Sequence, residues 1–262
     1  MKDNQTQNEV KTPANNDKGG DLYKKCKKVD RYVTATFWIN VVLAAFRVLS
    51  PQSYPAQIDT IQIIVIIINL VLSIWVDDFL LYNAECERRR FAVQDGFGVE
   101  LGEYTTEDYY TNQMTPSEHK YYINLFESNY YTKDISKMMI PCALLKTFIA
   151  LGVLTLSLRI FSNPDLVLVA AETVFSSVII AKSIALFVYV YRMEQLYKVP
   201  YRIYITSNGI ITPPMRAEIV HYAVEYEAVK AHYKVQLSVR IYEKNKGRLA
   251  SEWNELESKI KQ

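Results

Sequence analysis

The run IIVIIINLVLSIWV at residues 63–76 decides the fold class of this chain. Only Asn69 and Ser73 interrupt its apolar side chains, and the surrounding residues 60–81 are long enough to cross ~30 Å of hydrocarbon as a helix. Its many β-branched residues would favour a strand in water, but in lipid a helix satisfies its own backbone hydrogen bonds. The run therefore predicts a membrane-spanning helix.

Further apolar stretches extend this prediction to residues 32–49, 138–158 and 166–191. The stretches form two close pairs around a polar middle segment, residues 82–137. We therefore predict an all-α membrane protein with four transmembrane helices as two hairpins, residues 32–81 and 138–191. The middle segment and residues 192–262 are predicted to pack as a cytoplasmic helical bundle. The alternative is a large soluble bundle with buried central helices.

Basic residues lie on one side only of each apolar pair: Lys24, Lys25, Lys27, Lys28, Arg31, Arg88, Arg89, Arg90, Lys133, Lys137, Arg192, Lys198 and Arg202. The opposite loops, residues 50–59 and 160–165, contain no Lys or Arg. Because Lys and Arg are retained in cytoplasmic loops, both termini and the middle segment are predicted to be cytoplasmic. Residues 1–31 are predicted to form a disordered basic tail.

The middle segment is predicted to continue the second span as a helix through about Gln94 and to break at Gly96, Gly98 and Gly102. A new helix is predicted from Thr115, because Pro116 suits a first helical position and Glu118 stands three residues beyond the cap.

After Pro200, the β-prone residues 201–206 and the Ser-Asn-Gly turn at 207–209 predict a small hairpin. Residues 214–246 are predicted to form one long helix that Gly247 ends. Its apolar and aromatic face is predicted to associate either with a second protomer or with the middle segment. The residues that carry this prediction are Tyr222, Tyr226, Val229, Tyr233 and Leu237.

No catalytic pattern is present in the sequence. It has no Gly-rich phosphate loop before a helix and no nucleophile elbow, and His119, His221 and His232 lack metal-ligand spacing. We therefore expect a protein that is not an enzyme and needs no metal or cofactor. The near-balanced net charge of +2 gives no sign of nucleic-acid binding.

Ionisable side chains within the spans carry more information, because a charge in hydrocarbon costs roughly 3 kcal/mol or more. Lys146, Glu172 and Lys182 are such groups, and Asn40 and Asn69 add neutral polar groups. One hypothesis is that they line a water-exposed path in an oligomer. The alternative is that both lysines reach inward to acidic groups or headgroups while Glu172 is hydrogen-bonded between helices.

A short motif after the second span carries a family resemblance. The run AVQDGFG at residues 92–98 resembles the Ile-Gln-Glu-x-Phe-Asp motif of the SMODS-associated four-transmembrane effectors. Gln94 and Phe97 match that motif, and Gly98 replaces the family's Asp. A looser similarity in composition lies at residues 236–242, and the family's Cys-Gln-Arg-x-Asn segment is reduced here to Asn129. The architecture is similar over most of the chain, with a shortened middle region.

What this resemblance implies is an effector of bacterial antiphage defence in the inner membrane. Such a protein oligomerises and permeabilises or depolarises the membrane when a cytoplasmic signal reaches it. The signal would be a cyclic oligonucleotide, or release from an inhibitory protein or nucleic-acid complex of the same operon. The residues expected to contact the signal or partner are Arg88, Arg89, Arg90, Gln94 and Phe97. A constitutive channel or scaffold unrelated to defence remains the alternative.

Overall fold

A computed structural model describes residues 18–49, 55–101, 110, 112, 114–160, 166–206 and 211–260. In these residues the chain is helical, without strands. The helices are α1 (Lys18–Leu49), α2 (Pro55–Ile74), α3 (Leu81–Phe97), α4 (Glu118–Ile160), α5 (Leu166–Tyr201), α6 (Pro213–Tyr233) and α7 (Val239–Ile260). Two π-helical segments extend them, Trp75–Leu80 between α2 and α3 and Arg202–Thr206 after α5.

Three helical stretches are long and apolar enough to cross a membrane: Gln57–Phe97, Glu118–Thr155 and Glu172–Thr206. The all-helical fold is thus present, with three helices that are long and apolar enough to span a membrane, and α1, predicted as the first span, is not among these three. It begins at Lys18, so the predicted tail is helical from that residue, and residues 1–17 lie outside the described part. Averaged over its whole length, α1 is less apolar than α2, because its first half is rich in Lys and its last turn contains Arg47.

The long helices each have two parts. The apolar half contains residues 32–49, 57–76, 138–155 and 172–190. The polar half contains residues 81–97, 118–137, 191–206 and 211–260. In the apolar half, Phe37, Ile66 and Phe175 are buried together, and the rings of Phe37 and Phe175 stack with centroids 5.8 Å apart. The outer face of α2 leaves Ile64, Ile67 and Val71 about half exposed, as expected of a surface that meets lipid.

The polar half has two aromatic cores. In the first, Trp253 of α7 is fully buried against Phe126 and Tyr130 of α4. In the second, Tyr222 and Tyr226 of α6 pack with other buried residues of α4, α5 and α6: Leu125, Tyr189, Met193, Ala223 and Val229. The two polar segments of the sequence therefore pack against each other in both cores.

Two glycines place α3 against α4. A Cβ at Gly96 would lie 2.6 Å from the Cβ of Tyr121, so the two helices approach too closely there for a larger residue. Gly98 ends α3 in the left-handed conformation, with φ of 64°, which glycine adopts without cost. The Ser117 hydroxyl accepts the Lys120 amide N–H at 3.2 Å and caps α4. The cap is thus Ser117 rather than the predicted Thr115.

The structure corrects two local predictions. Residues 201–206 are not a strand, because α5 runs through Pro200 to Tyr201 and continues as a π-helical segment. The predicted turn at 207–209 lies outside the described residues. The predicted single helix over residues 214–246 is wrong as well. Lys234 takes a left-handed conformation that ends α6, and Gly247 lies inside α7 instead of ending a helix.

Candidate functional site

A group of opposite charges lies where the apolar half meets the polar half. Lys182 of α5 forms an ion pair with Asp77 at 2.7 Å. Asp30 of α1 lies within electrostatic reach of both members of this pair and of Lys146 on α4. One charged residue thus comes from each of the four chain passages, two acidic and two basic, and the group is neutral when all four are charged.

Asp77 and its neighbour Asp78 contact different parts of the molecule. Both lie in the π-helical segment Trp75–Leu80, where the wider turn changes the direction of successive side chains. Asp77 pairs with Lys182 in the apolar half, whereas Asp78 pairs with Lys234, between α6 and α7. Two successive carboxylates therefore connect the C-terminal helices to the apolar helix α5 through one short segment.

A second set of ion pairs joins α3 to α6. Glu85 binds the Lys230 ammonium at 2.6 Å, and Arg89 donates from Nε to Glu227 at 2.6 Å. The Tyr23 hydroxyl of α1 also donates to Glu85, at 2.5 Å. Burial would lower the pKa of Lys230, but the adjacent negative charge of Glu85 raises it well above its usual value. Lys230 therefore stays charged and holds α6 on α3.

The apolar half contains a polar cluster built from three helices. Glu172 of α5 accepts hydrogen bonds from the side-chain amides of Gln62 on α2 and, at 3.5 Å, Asn40 on α1. These three residues have at most 1% of their surface exposed. Asn69 lies further inward and donates to the Val33 carbonyl and the Thr36 hydroxyl, each at 2.8 Å.

The polar residues predicted to line a path therefore separate into two groups. Glu172 and Asn40 meet in the buried cluster, while Asn69 joins α2 to α1. Lys182 is half exposed and paired with Asp77, and Lys146 lies near the same charged group. This arrangement corresponds to the alternative given in the sequence analysis, in which the lysines reach inward to acidic groups and Glu172 is hydrogen-bonded between helices.

The residues predicted to contact a signal do not form one pocket among the described residues. Arg88 lies over the Tyr23 ring, Arg89 binds Glu227, and Arg90 binds Glu87 at 2.5 Å. Gln94 is buried, and the half-exposed Phe97 ring lies 5.6 Å from that of Tyr121. A cleft of about 500 Å³ lies elsewhere in the polar half, with His119, Tyr122, Tyr204 and Arg216 among its lining residues.

The predicted association face of α6 is covered by its own chain. Tyr222, Tyr226 and Val229 are buried against α4 and α5, and the Tyr222 hydroxyl donates to the Leu125 carbonyl at 3.1 Å. Tyr233 and Leu237 are partly buried at the edges of the two cores. Contact with the middle segment is thus the alternative seen in the structure, with α5 as an additional neighbour.

Sequence reasoning missed Gln62 and the partners of the ion pairs. Gln62 lies seven residues before Asn69, which places it two turns away on the same helix face, so helical periodicity was a usable signal. Glu85 and Lys230 are far apart in sequence, and no local pattern predicts that they meet.

Comparison with known proteins gives no relative. No family model matches the chain, and no curated protein or solved structure is significantly similar to it. The functional argument therefore depends on the residues described above.

Proposed function

We propose that this protein is a bacterial inner-membrane effector of antiphage defence, silent until a cytoplasmic signal acts on its polar half. Once activated, it oligomerises and permeabilises or depolarises the membrane. Three helices of sufficient length and apolarity support the membrane location. The one-sided Lys and Arg distribution supports a cytoplasmic polar half.

The observation that carries this proposal is the double connection through Asp77 and Asp78. Lys234 lies between the two C-terminal helices, and Lys182 lies on a membrane helix. A movement of α6 and α7 would pull on Asp78, and the π-helical segment would transmit that movement to the Asp77 pair. Single-turn π-helical segments are found frequently at functional sites. The ion pairs of α3 with α6 hold α6 in place before activation.

Several copies are required for a conducting path. Phe37, Ile66 and Phe175 fill the space between α1, α2 and α5 in a single chain. The exposed apolar residues of α2, including Ile64 and Ile67, offer a surface for lipid or for another copy. A homo-oligomer would place the charged residues of several chains around a common axis.

The candidate activators are those implied by the resemblance to the SMODS-associated four-transmembrane effectors. These are a cyclic oligonucleotide and an inhibitory protein or nucleic-acid complex encoded in the same operon. The second candidate function is a constitutive channel or scaffold, which the neutral, internally paired charge group favours. The two functions differ in one respect, since an effector stays silent until it is triggered and a channel conducts throughout.

The connection is tested by charge reversal in cells that carry a voltage-sensitive dye. Lys234→Glu places two negative charges together at Asp78, so we expect depolarisation and growth arrest without any activator. The double variant Asp78→Lys with Lys234→Glu restores an opposite-charge pair and should restore the silent state. Lys259→Glu is the matched control, because Lys259 forms its ion pair within α7, with Glu255 one turn earlier.

Three results decide between the two functions. Depolarisation by Lys234→Glu alone supports the effector. Equal depolarisation by the parent protein and every variant indicates a constitutive channel. Intact membrane potential in all of them, with normal membrane insertion, contradicts the proposed connection.

The orientation has its own experiment. The starting protein is a variant without native cysteines. Single cysteines then replace Ser117, Ser251 or the residue at position 53, which lies in the loop 50–59 between the first two apolar stretches. A membrane-impermeant maleimide added to intact cells should label position 53 only. Labelling of Ser117→Cys or Ser251→Cys from outside would overturn the cytoplasmic placement of the polar half.

A further inference from the structure

One face of α1 stays exposed from residue 24 to residue 46. Cys26, Phe37 and Asn40 lie on the opposite face and are buried against the other helices. The exposed residues recur every three or four positions, so they form one outward stripe along the helix. The outward stripe contains Lys24, Lys25, Lys28, Arg31, Tyr32, Ala35, Ile39, Val42 and Phe46.

The outward stripe is basic in its first two turns. Its four basic residues all lie between positions 24 and 31. Asp21 is the acidic residue at this end of the same face, and it pairs with Lys24 at 2.7 Å. Asp30, the other acidic residue of α1, lies on a different side of the helix and within electrostatic reach of Lys146. Four positive charges against one negative charge therefore leave this part of the stripe strongly basic.

Beyond residue 31 the same stripe becomes aromatic and then apolar. Tyr32 is 56% exposed, and Ile39, Val42 and Phe46 are exposed by 48%, 64% and 48%. A row of exposed apolar side chains is typical of a surface that meets lipid. An aromatic residue between a basic and an apolar segment is typical of a membrane interface. The order of side chains thus matches the order of phosphate, interface and hydrocarbon in one leaflet.

Contacts with neighbouring helices fix the level at which the stripe changes. Tyr23 donates to Glu85 of α3, so the basic part lies beside the first turns of α3 in the polar half. The Val33 carbonyl accepts from Asn69, which lies within the apolar run of α2. Residues 28–32 therefore lie where the apolar half meets the polar half, which is the level of the lipid phosphate groups.

We propose that the outward stripe of α1 binds an anionic phospholipid. Lys25, Lys28 and Arg31 bind its phosphate, and an acyl chain lies along Ile39 and Val42. The guanidinium group suits bidentate contact with phosphate oxygens. Fourteen residues separate Lys28 from Val42, about 21 Å by helical rise, and one leaflet with its headgroups is about 20 Å thick.

A lipid fits the whole stripe better than a nucleic acid does. A nucleic acid would match the basic residues but leave Ile39, Val42 and Phe46 in water. The lipid site rests on the membrane location proposed above, although it does not depend on permeabilisation.

The test measures the lipid preference around Trp38, which is 45% exposed and one turn before Val42. Trp75→Phe leaves Trp38 and the fully buried Trp253 as the tryptophans. This full-length protein is reconstituted in mixed bilayers of phosphatidylcholine and phosphatidylglycerol, in which one lipid at a time has brominated acyl chains that quench tryptophan. Phosphatidylglycerol should be preferred by at least about tenfold at low salt, and by less at high salt.

Two double variants in the same background separate the site from general charge effects. Lys28→Gln with Arg31→Gln removes two phosphate ligands, so the preference should fall at least about fivefold. Arg216→Gln with Lys259→Gln is the matched control, because it removes the same charge at the far end of the polar half. Arg216 lines the cleft beside Ser117, about 30 Å along α4 from the apolar half. The control should keep the preference of the parent.

Several outcomes overturn the lipid site. These are equal quenching by the two brominated lipids in the parent, an unchanged preference in the Lys28 and Arg31 double variant, and an equal loss in the control. Quenching by neither lipid would mean that another copy or water meets this face, and it overturns the site as well. The measurement needs no activator, so these outcomes are independent of the depolarisation experiment, and silent variants in that experiment leave the lipid site standing.

Discussion

Partly or fully buried carboxylates have different partners in the polar and apolar halves. In the polar half, Glu85 and Glu227 each face a cation from a neighbouring helix. In the apolar half, Glu172 faces two neutral amides. Arg47 and Asp59, near the ends of the apolar helices, follow the pattern of the polar half. Glu172 is therefore an exception within its own region.

This difference indicates what each half requires. Direct ion pairs fix the position of one helix on another, as α6 is fixed on α3. A carboxylate that only amides surround does not need to be a structural link, because an apolar residue of similar size would pack the helices at lower cost.

The first prediction breaks a buried pair in the polar half. Lys230→Met leaves the largely buried Glu85 without its ammonium partner, and we expect a loss of about 3 kcal/mol in the free energy of unfolding. Arg202→Met, which removes an exposed pair with Glu218, should cost less than about 1 kcal/mol. Both variants are compared by denaturant unfolding in detergent.

A rescue variant keeps this prediction specific to the pair. Adding Glu85→Gln to Lys230→Met removes the uncompensated charge, so most of the lost stability should return. If the double variant is as unstable as Lys230→Met alone, lost packing of the lysine chain explains the effect rather than the ion pair.

The second prediction concerns the joint between α3 and α4. Gly96→Ala would place a methyl group 2.6 Å from the Tyr121 Cβ, so the helices must separate, at a cost of about 1–3 kcal/mol. Gly247→Ala is the matched control, because no atom lies within 4 Å of its new Cβ. It should stabilise α7 by roughly 0.5–1 kcal/mol. Similar changes in melting temperature for both variants would contradict the close contact.

The sequence predicts the helices where periodicity and composition are strong. The apolar run at residues 63–76 and the end of α3 near Gly98 depend on local chemistry, and both agree with the structure. The predicted strand at residues 201–206 is wrong because β propensity reflects the surroundings of a residue more than its backbone preference. Here the core around Ile203 and Tyr204 holds these residues in a helix. The π-helical turn after Pro200 has no local signal.

The C-terminal helices show the other limit of local signals. Gly247 suggested a helix end, yet one glycine costs a helix only about 1 kcal/mol, which the burial of Leu249 and Trp253 offsets. The actual break at Lys234 has no glycine to indicate it. Ser238, whose hydroxyl accepts the Ile241 amide N–H at 3.4 Å, was the available sign that a new helix begins.

The last prediction has the smallest expected effect and concerns this break. Lys234 has φ of 48°, a conformation that costs an ordinary residue about 1 kcal/mol relative to glycine, and its half-exposed pair with Asp78 contributes at most about 1 kcal/mol. Lys234→Gly should therefore leave stability nearly unchanged, because relief of strain offsets loss of the pair. Lys234→Ala loses the pair and keeps the strain, so it should be about 1 kcal/mol less stable than Lys234→Gly.

Unfolding in low and high salt separates the two contributions, since salt weakens only the ion pair. Equal stability of the two variants would mean that the backbone at residue 234 is relaxed. The ion pair with Asp78 would then be the main link of this residue to the membrane helices.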